Sequence, residues 1–413
     1  MSDEVRDRTL DRRELLKRAG LVAAAASVPL EPAARAWAGI AKPAAAKELR
    51  IGNLLTLSGP NSAPAIDVKK GFVTYVLAHG HRLGGRRIRF VDADDAGVPG
   101  TAIRQVQKLV NEDHVDVIEG IFYSNILLGV RDTIDSLKVP TVVANAAANA
   151  ITRERRSDYI FRTSYTNYQL GAAMARWCAR KLTKSGLVIV AANYAAGQES
   201  SAAFKKVYEA AGGNVSDTIF TPFPTTPDYQ PYLSKVQDKG AKAVWAFAAG
   251  GGESIKFVKQ YSQFGLSRSI PLVGVNNLTD PQSVLDSQGS AALGIRTQAN
   301  WAPQLKNAEN RKFLAAYKRF GGTPSAFAEL GYIAAQFLDL ALRKVHGDTS
   351  NQARLLRVMA QVGSFRSPGG VLAMDPNTHQ VALPFYLRKV VKSHGGYTEK
   401  LVGNLGVIRD PGR

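Results

Sequence analysis

Residues 99–130 read PGTAIRQVQKLVNEDHVDVIEGIFYSNILLGV, and this stretch decides the fold. Apolar residues recur with a helical period over 99–113, and a short apolar run over 115–120 then ends at a glycine. A second helical pattern follows from about residue 125. A strand flanked by helices in this way is typical of a parallel sheet that is covered on both faces. Ser124 stands in the turn between the strand and the second helix.

The same alternation continues along the chain and starts again after an interruption near residue 165. It predicts an α/β protein with two doubly wound parallel-sheet lobes. Helices are expected at 99–113, 125–137, 167–182, 198–211, 228–239, 253–264, 307–320, 324–346 and 351–362. In such sheets ligands bind at the carboxyl ends of the strands. The loops at those ends are 57–66, 120–125, 145–152, 193–197, 248–253 and 275–279.

The N-terminal segment has the features of an export signal. Residues 11–17, DRRELLK, place two consecutive arginines before an alanine-rich apolar segment that is too short to span a membrane. Ala36-Trp37-Ala38 gives the small-x-small pattern of a cleavage site. Residues 1–38 are therefore expected to be a twin-arginine signal peptide, and the protein to be periplasmic. A disordered basic arm is the alternative.

Charge and length set further bounds. The 413 residues include 53 Lys and Arg against 34 Asp and Glu, a formal net charge of +19. The basic residues form no run of five or more, so we interpret them as a solvated surface. An exported protein rarely meets nucleic acid, and we expect no such partner. Cys178, the single cysteine, can form no internal disulfide and suits a small buried apolar position.

The loops at the strand ends carry no complete catalytic or metal-binding signature. Ser124 lacks the glycine elbow of a hydrolase nucleophile. DADDAG at 92–97 begins like a calcium loop, but Ile103 stands where the closing glutamate is required. GGGES at 250–254 lacks the remaining residues of a phosphate loop; it is either a plain glycine turn or a helix N-terminus that holds a polar ligand atom. We expect a binding protein without enzymatic activity, cofactor or metal.

Longer segments follow one another in a characteristic order: IGNLLTLSGP, GGRRIRFVDADDAGVPG, AIRQVQKLVNEDHVDVIEG, AANYAAGQESSAAFKKVYEAAGG, PDYQPYLSKVQDKGAKAVWAF and FLAAYKRFGGTPSAFAELGYIAAQFLDLAL. In this order the chain resembles the branched-chain amino-acid (Leu/Ile/Val) binding protein family. Its members are type I periplasmic binding proteins, the solute receptors of ABC importers.

The resemblance implies two lobes that are joined by a three-segment hinge and close on a ligand. Lobe one would hold residues 48–165 and 300–378, and lobe two would hold residues 166–299 and 379–413. It further implies a monomer that delivers a small organic ligand to membrane permease subunits.

The resemblance also assigns site residues. Ser124 matches the serine that holds the ligand carboxylate in amino-acid-binding members. Asn145 and Ala147 stand where those members have a small residue and a threonine, and Gly250 replaces a wall residue that is often aromatic. The acid that accepts the ligand ammonium aligns with Asn276. A buried ammonium without a carboxylate partner is strongly disfavoured, so we expect a ligand other than a free α-amino acid.

Aromatic residues near these loops indicate an aromatic or other hydrophobic carboxylate as the ligand. Tyr123, Tyr194 and Trp301 are candidates for contact with it, and packing in the core or between the lobes is the alternative for each. Ser124 would donate to the carboxylate, cap its helix, or do both. Other possible functions are an amino-acid or amide receptor of the same importer class and a sensory receptor coupled to a membrane signalling protein.

Overall fold

The computed structural model describes residues 48–412, so the predicted signal peptide at 1–38 lies outside the described part of the chain. Its helices are α1 (Ala63–Ala78), α2 (Pro99–Asn111), α3 (Ser124–Leu137), α4 (Asn167–Trp177), α5 (Ala195–Ala210), α6 (Gln230–Asp238), α7 (Gly251–Gln263), α8 (Gln282–Gln288), α9 (Ala308–Tyr317), α10 (Ala326–Lys344) and α11 (Gln352–Ala360). Its strands are β1 (Leu49–Leu55), β2 (Arg82–Leu83), β3 (Arg86–Asp94), β4 (Val117–Gly120), β5 (Thr141–Val143), β6 (Ile160–Arg162), β7 (Leu187–Ala192), β8 (Val215–Thr221), β9 (Ala243–Phe247), β10 (Leu272–Val275), β11 (Arg296–Ala299), β12 (Ser364–Ser367), β13 (Gly370–Asp375), β14 (Gln380–Ser393) and β15 (Gly396–Ile408).

Two sheets form the centres of two lobes. In the first, parallel strands lie in the order β3-β1-β4-β5-β6. In the second, parallel strands lie in the order β8-β7-β9-β10-β11. In the first sheet β1 lies between β3 and β4, and in the second sheet β7 lies between β8 and β9. The strand order therefore reverses once in each sheet, and a crevice opens at that switch point. The predicted α/β fold with two doubly wound lobes is confirmed for this core.

Antiparallel strands extend both sheets and make them mixed. In the first sheet, β14 pairs in parallel with β6 at Gln380 and antiparallel with β13 over residues 380–382. Further along, residues 386–389 of the same strand pair with β11 in the second sheet. β14 also pairs with β15 along most of its length. The chain thus passes between the sheets at residues 383–385 of a continuous strand, several residues beyond the crossing that was expected near 379.

Each lobe contains a close helix crossing that only glycine permits. A Cβ on Gly71 of α1 would lie 1.7 Å from the carbonyl oxygen of Ala328 in α10. A Cβ on Gly171 of α4 would lie 2.1 Å from the carbonyl oxygen of Ser200 in α5. These distances are far below van der Waals contact, so the backbones of the paired helices touch directly. The crossings fix how these four helices cover the sheets.

Several elements escape sequence-based prediction. α1 and α8 were not predicted, because prolines and polar residues obscure their helical period. β12, β13 and β15 form antiparallel hairpin and ribbon pairs that an alternating β-α pattern does not indicate. The remaining helices agree with the predicted ranges to within about three residues at most ends. Cys178 is buried, as expected.

A buried carboxyl group lies where the chain crosses between the sheets. Glu329 of α10 accepts a hydrogen bond from Nδ2 of Asn300 (2.6 Å), the residue that follows β11. It accepts another from the N–H of Gly369 (2.8 Å), in the turn between β12 and β13. Burial nevertheless raises the pKa of Glu329 to about 8. The carboxyl group therefore holds its proton in the folded protein at pH values where the unfolded chain releases it.

This raised pKa predicts that Glu329→Gln removes part of the pH dependence of stability. From about pH 4.5 to 8 the folded state binds more protons at this group than the unfolded state, so the free energy of unfolding falls as the pH rises. The loss from this one group is on the order of 4 kcal/mol at most. Urea unfolding at pH 5 and pH 8 measures it, and the difference between the two pH values should be smaller in Glu329→Gln than in wild type. Glu112→Gln, which changes an exposed carboxylate, should leave the difference unchanged; an equal difference in wild type and Glu329→Gln would contradict the prediction.

Candidate functional site

A small cavity lies between the lobes, at the carboxyl ends of the parallel strands of both sheets. Its free volume is only about 20 Å³. The lining residues are Phe122, Tyr123, Ser124, Asn145, Ala147, Tyr165, Asn167, Leu170, Tyr194, Ala196, Phe247, Asn277 and Phe327. Loops from both switch points contribute to it, as the strand order requires. Side chains nearly fill the cleft, so a ligand enters only when they move or the cleft widens.

The turn between β4 and α3 is strained and tightly held. β4 ends at Gly120, whose φ is +108° and whose Cβ, if present, would lie 2.6 Å from the carbonyl oxygen of Leu54. Ile121 follows with φ +56°, an unfavourable conformation for a β-branched residue. Its N–H donates to Leu54 (2.7 Å), and its carbonyl accepts from the N–H of Ala146 (2.9 Å). Strain of this kind is maintained where a site needs a fixed geometry, and here it positions Ser124.

Ser124 presents an unused hydroxyl proton at the cavity wall. Its side chain is buried, and its Oγ accepts from the N–H of Ala147 (3.2 Å) and from Nδ2 of Asn167 (3.4 Å). Within residues 48–412 no acceptor lies in reach of its own O–H, so this group can donate to a ligand. Tyr123 occupies the N-cap position and no side chain caps α3, so the interpretation of Ser124 as a helix cap is wrong.

Amide side chains form a second polar group in the cleft. Asn145 donates from Nδ2 to the carbonyl of Phe122 (2.7 Å) and accepts from the hydroxyl of Tyr165 (3.0 Å). Asn276 lies beside that hydroxyl and is fully buried. Neither atom of its carboxamide meets a partner of ordinary hydrogen-bond geometry among the described residues. The neighbouring Asn277 lines the cavity and donates to the carbonyl of Ala248 (2.8 Å).

Aromatic rings enclose the other side of the cavity. Tyr194 stacks on Phe223 with ring centroids 4.0 Å apart and planes at 13°. Tyr123 and Phe247 contact the Tyr194 ring with their centroids 6.2 and 6.1 Å away and their planes steeply inclined. Phe122 packs edge-on against Tyr123 at 5.0 Å. Burial raises the pKa of Tyr194 and of Tyr123, so both hydroxyls stay protonated and act as donors.

Three predicted site residues lie outside the cavity lining: Gly250, Asn276, whose neighbour Asn277 lines the cavity in its place, and Trp301. Trp301 is fully buried, donates from Nε1 to Oδ1 of Asn310 (2.7 Å) and packs against Phe313, so it belongs to the core of the first lobe. Gly250 also lies outside the lining; a Cβ added to it would point towards the side chains of Pro64 and Asn277. Sequence patterns could not separate these positions from the lining, because a core tryptophan and a ligand-facing tryptophan have the same local surroundings in sequence.

The glycine-rich loop 250–254 contacts the opposite lobe. The N–H of Gly252 donates to the carbonyl of Pro60 (3.0 Å), and the N–H of Glu253 donates to Oδ1 of Asn61 (3.2 Å). Nδ2 of Asn61 in turn donates to the carbonyl of Pro224 (3.3 Å). The N–H groups of Gly252 and Glu253 at the start of α7 are therefore occupied by protein acceptors, which favours the plain glycine turn of the two interpretations of this loop.

Five lining or wall residues were not named by the sequence analysis: Asn167, Leu170, Phe223, Asn277 and Phe327. Asn167 is the first residue of α4, and its Nδ2 also donates to Oε2 of Glu199 (2.8 Å) while its Oδ1 has no partner among residues 48–412. A polar residue at the start of the helix after the first crossing was the available signal. Phe223 and Phe327 come from loops and helices outside the switch points, where the strand-end rule gives no indication.

Metal and membrane features can be stated for the described residues only. Within 48–412 no group of three or more His, Cys, Asp or Glu side chains is arranged to hold a metal ion. In the same range, no helix combines the length and the apolar composition that crossing a bilayer requires. The residues that line the cavity include no Asp, Glu, His or Cys.

Comparison with known proteins gives one consistent result. Residues 48–396 match the family model described as periplasmic binding protein. Leu/Ile/Val-binding protein homolog 6 of Brucella melitensis is 29% identical over 90% of this chain and 95% of its own length.

Solved structures with the same fold include several substrate-binding proteins. An ABC transporter substrate-binding protein from Sphaerobacter thermophilus is 33% identical, with a TM-score of 0.80 over 87% of this chain and 98% of its own. A solute-binding protein of an ABC transporter from Rhodopseudomonas palustris, in complex with benzoate, is 32% identical, with a TM-score of 0.81 over 88% and 98%. Another, from Rhodopseudomonas palustris BisB5 in complex with 3,4-dihydroxybenzoic acid, is 29% identical, with a TM-score of 0.80 over 88% and 99%.

The contact between the lobes predicts that Gly251→Ala holds the cleft open. At Gly251 φ is +52°, and a Cβ would lie 2.7 Å from Cα of Asn61 on the other lobe. Small-angle X-ray scattering should therefore give a larger radius of gyration for this variant than for wild type. Gly240→Ala is the matched control, because φ there is +58° but nothing lies within 4 Å of the added Cβ. Equal radii for the two variants would show that the loop does not limit closure.

Proposed function

The chain belongs to the periplasmic binding protein family, and on that basis we propose that it is the solute-binding subunit of a branched-chain-amino-acid-type ABC importer that closes on an aromatic carboxylate. The observation that carries the proposal is the division of the cavity into two parts. Ser124 offers a free hydroxyl proton on one side, and stacked tyrosine and phenylalanine rings enclose the other.

The polar side is suited to a carboxylate. The hydroxyl of Ser124 has no acceptor of its own among the described residues, and it lies at the N-terminus of α3, where the first backbone N–H groups have no helical partner. Hydrogen bonds from such donors to an ionised group are stronger than those between neutral groups. A ligand carboxylate here would accept from the serine and face the positive end of the helix dipole.

The apolar side is suited to a single ring. Tyr194, Tyr123 and Phe247 present ring faces and edges at the distances at which aromatic groups attract one another. In this closed arrangement the rings leave little free volume, so a ring-sized ligand is accommodated only when the cleft widens. The Rhodopseudomonas palustris proteins described with benzoate and with 3,4-dihydroxybenzoic acid share about a third of their residues with this chain, which supports the same ligand class.

A free amino acid is disfavoured as the ligand. No acidic side chain lines the cavity. By the family resemblance, the buried Asn276 replaces the acid that would accept the ammonium. An ammonium group placed there would be buried without a counter-charge. The buried amide of Asn276 and the side chain of Asn277 suit a neutral polar group such as a ring hydroxyl instead.

Further features belong to the same proposal. The protein would act as a monomer without enzymatic activity and without nucleic acid, and would pass its ligand to permease subunits of the importer. It would reach the periplasm by the twin-arginine route, with residues 1–38 removed. The lobes would comprise residues 48–165 with 300–378 and residues 166–299 with 379–413, adjusted for the shared strand β14.

A thermal-shift screen tests the proposed ligand class. Benzoate, 4-hydroxybenzoate and 3,4-dihydroxybenzoate are expected to raise the melting temperature in proportion to the logarithm of their concentration, because they bind the folded state alone. Leucine and phenylalanine should leave it unchanged. Stabilisation by leucine with no response to any of the three acids would overturn the proposal.

Ser124→Ala is expected to weaken binding of the best acid by about 10- to 100-fold, since a hydrogen bond to a charged group contributes roughly 1.5–3 kcal/mol. Isothermal titration calorimetry measures the change. Ser136→Ala is the control, because Ser136 lies exposed on the same helix. Wild-type affinity in Ser124→Ala would place the carboxylate elsewhere in the cavity.

A further inference from the structure

Arg162, the last residue of β6, is fully buried directly behind a loop that lines the cavity. Its Nη1 donates to the carbonyls of Ala148 (2.7 Å) and Ala146 (3.3 Å). Its Nη2 donates to Oγ1 of Thr152 (2.6 Å), and its Nε donates to Oε1 of Gln380. The guanidinium therefore holds the carbonyls on both sides of Ala147, which is itself part of the cavity wall.

The arrangement orients the Ala147 peptide units. With the flanking carbonyls turned towards Arg162, the N–H of Ala147 points to Oγ of Ser124, and the carbonyl of Ala147 accepts from the N–H of Asn167 (2.7 Å). The Ser124 oxygen is occupied as an acceptor for this reason, and only its proton is left for a ligand. By holding the carbonyls of Ala146 and Ala148, Arg162 thus makes the Ser124 oxygen accept from the protein and leaves the Ser124 proton facing the cavity.

Arg162 carries a charge that no carboxylate in the described residues neutralises by direct contact. All of its hydrogen bonds go to carbonyl, hydroxyl and amide oxygens. The acidic groups that interact with it from a greater distance are Asp410, which already pairs with Arg153, and Glu199. Burial lowers the pKa of Arg162 only to about 10, so the guanidinium remains charged at neutral pH. A buried charge of this kind favours an opposite charge nearby.

A second charge, the carboxylate of Glu199 in α5, contacts the loop at 145–152 that Arg162 also contacts. Its Oε2 accepts from the N–H of Asn149 (2.9 Å) and from Nδ2 of Asn167 (2.8 Å), and no basic side chain in residues 48–412 pairs with it. A ligand carboxylate beside Ser124 and Asn167 would be repelled by this negative charge. The positive charge of Arg162 offsets that repulsion.

We propose, given the function proposed above, that the positive charge of Arg162 makes the cavity select an anionic head group, acting from behind the backbone of residues 146–148 without touching the ligand. Glu199 opposes this preference. The electrostatic selectivity of the site then resides in two buried charges behind its wall, and the side chains that contact the ligand can all be neutral.

The test compares acids with their neutral amides in the full-length mature protein. Dissociation constants for benzoate and benzamide, and for 4-hydroxybenzoate and 4-hydroxybenzamide, are measured by isothermal titration calorimetry at pH 7.5. The ratio of acid affinity to amide affinity is expected to fall about tenfold or more in Arg162→Gln, and to stay within about threefold of wild type in Arg162→Lys, which keeps the charge.

In Glu199→Gln the ratio of acid affinity to amide affinity should rise, because a negative charge near the ligand carboxylate is removed. Arg87→Gln, which removes an exposed arginine of β3, controls for net charge and should not change it.

Each result decides the inference. A parallel loss of acid and amide affinity in Arg162→Gln would show a structural role only, and an equal fall of the ratio in Arg162→Lys would show that geometry, not charge, matters; either overturns it. If Arg162→Gln does not fold, Arg162→Lys and Glu199→Gln decide, and an unchanged ratio in Glu199→Gln overturns the inference. Failure of wild type to bind either acid would overturn the proposed function itself, whereas acid binding with an unaltered ratio would overturn the role of Arg162 alone.

Discussion

The parallel pairing of strands in a 2-1-3-4-5 order is the constraint on which the rest of this structure depends. Because all five strands of each sheet point the same way, their following loops collect at one edge. Because the first strand lies inside the sheet, the loops after the first and third strands diverge and leave a crevice. Two such sheets face each other across the cleft, so Ser124 after β4 and Tyr194 after β7 meet although 70 positions separate them. Neither lobe alone could enclose a ligand.

Two of the helix N-termini at the cleft, those of α3 and α7, have different uses. In α3 the strained Ile121 turn keeps the serine hydroxyl directed at the cavity, with its oxygen already bonded. In α7 the glycine-rich start gives its N–H groups to Pro60 and Asn61 of the opposite lobe. Positive φ at Gly251 lets the two backbones approach to a distance that a side chain would prevent. The same backbone chemistry thus serves ligand binding at one helix and lobe closure at the other.

Local sequence pattern predicted most of the parallel core and the position of Ser124, because hydrophobic period and strand-end loops are local properties. It could not locate Trp301, since an indole that bonds Asn310 in the core looks the same in sequence as one that faces a ligand. Nor could it find Asn167 or Arg162, whose roles depend on partners brought together by the fold. β15 and its antiparallel pairing with β14 were missed because that pairing departs from the repeating β-α order.

The shared strand β14 has a mechanical consequence. Its hydrogen bonds anchor residues 380–382 in one sheet and residues 386–389 in the other, with register shifts at Phe385/Tyr386 and Leu387/Arg388 beside the junction. A rigid-body rotation of the lobes must therefore be absorbed as torsion over a few residues of a hydrogen-bonded two-stranded ribbon. Such an element resists stretching but twists readily, which restricts the lobes to rotation and excludes their separation along the strand. At the register shifts the ladder is locally disrupted, so torsion between the lobes is least opposed at that part of the ribbon, away from the ligand.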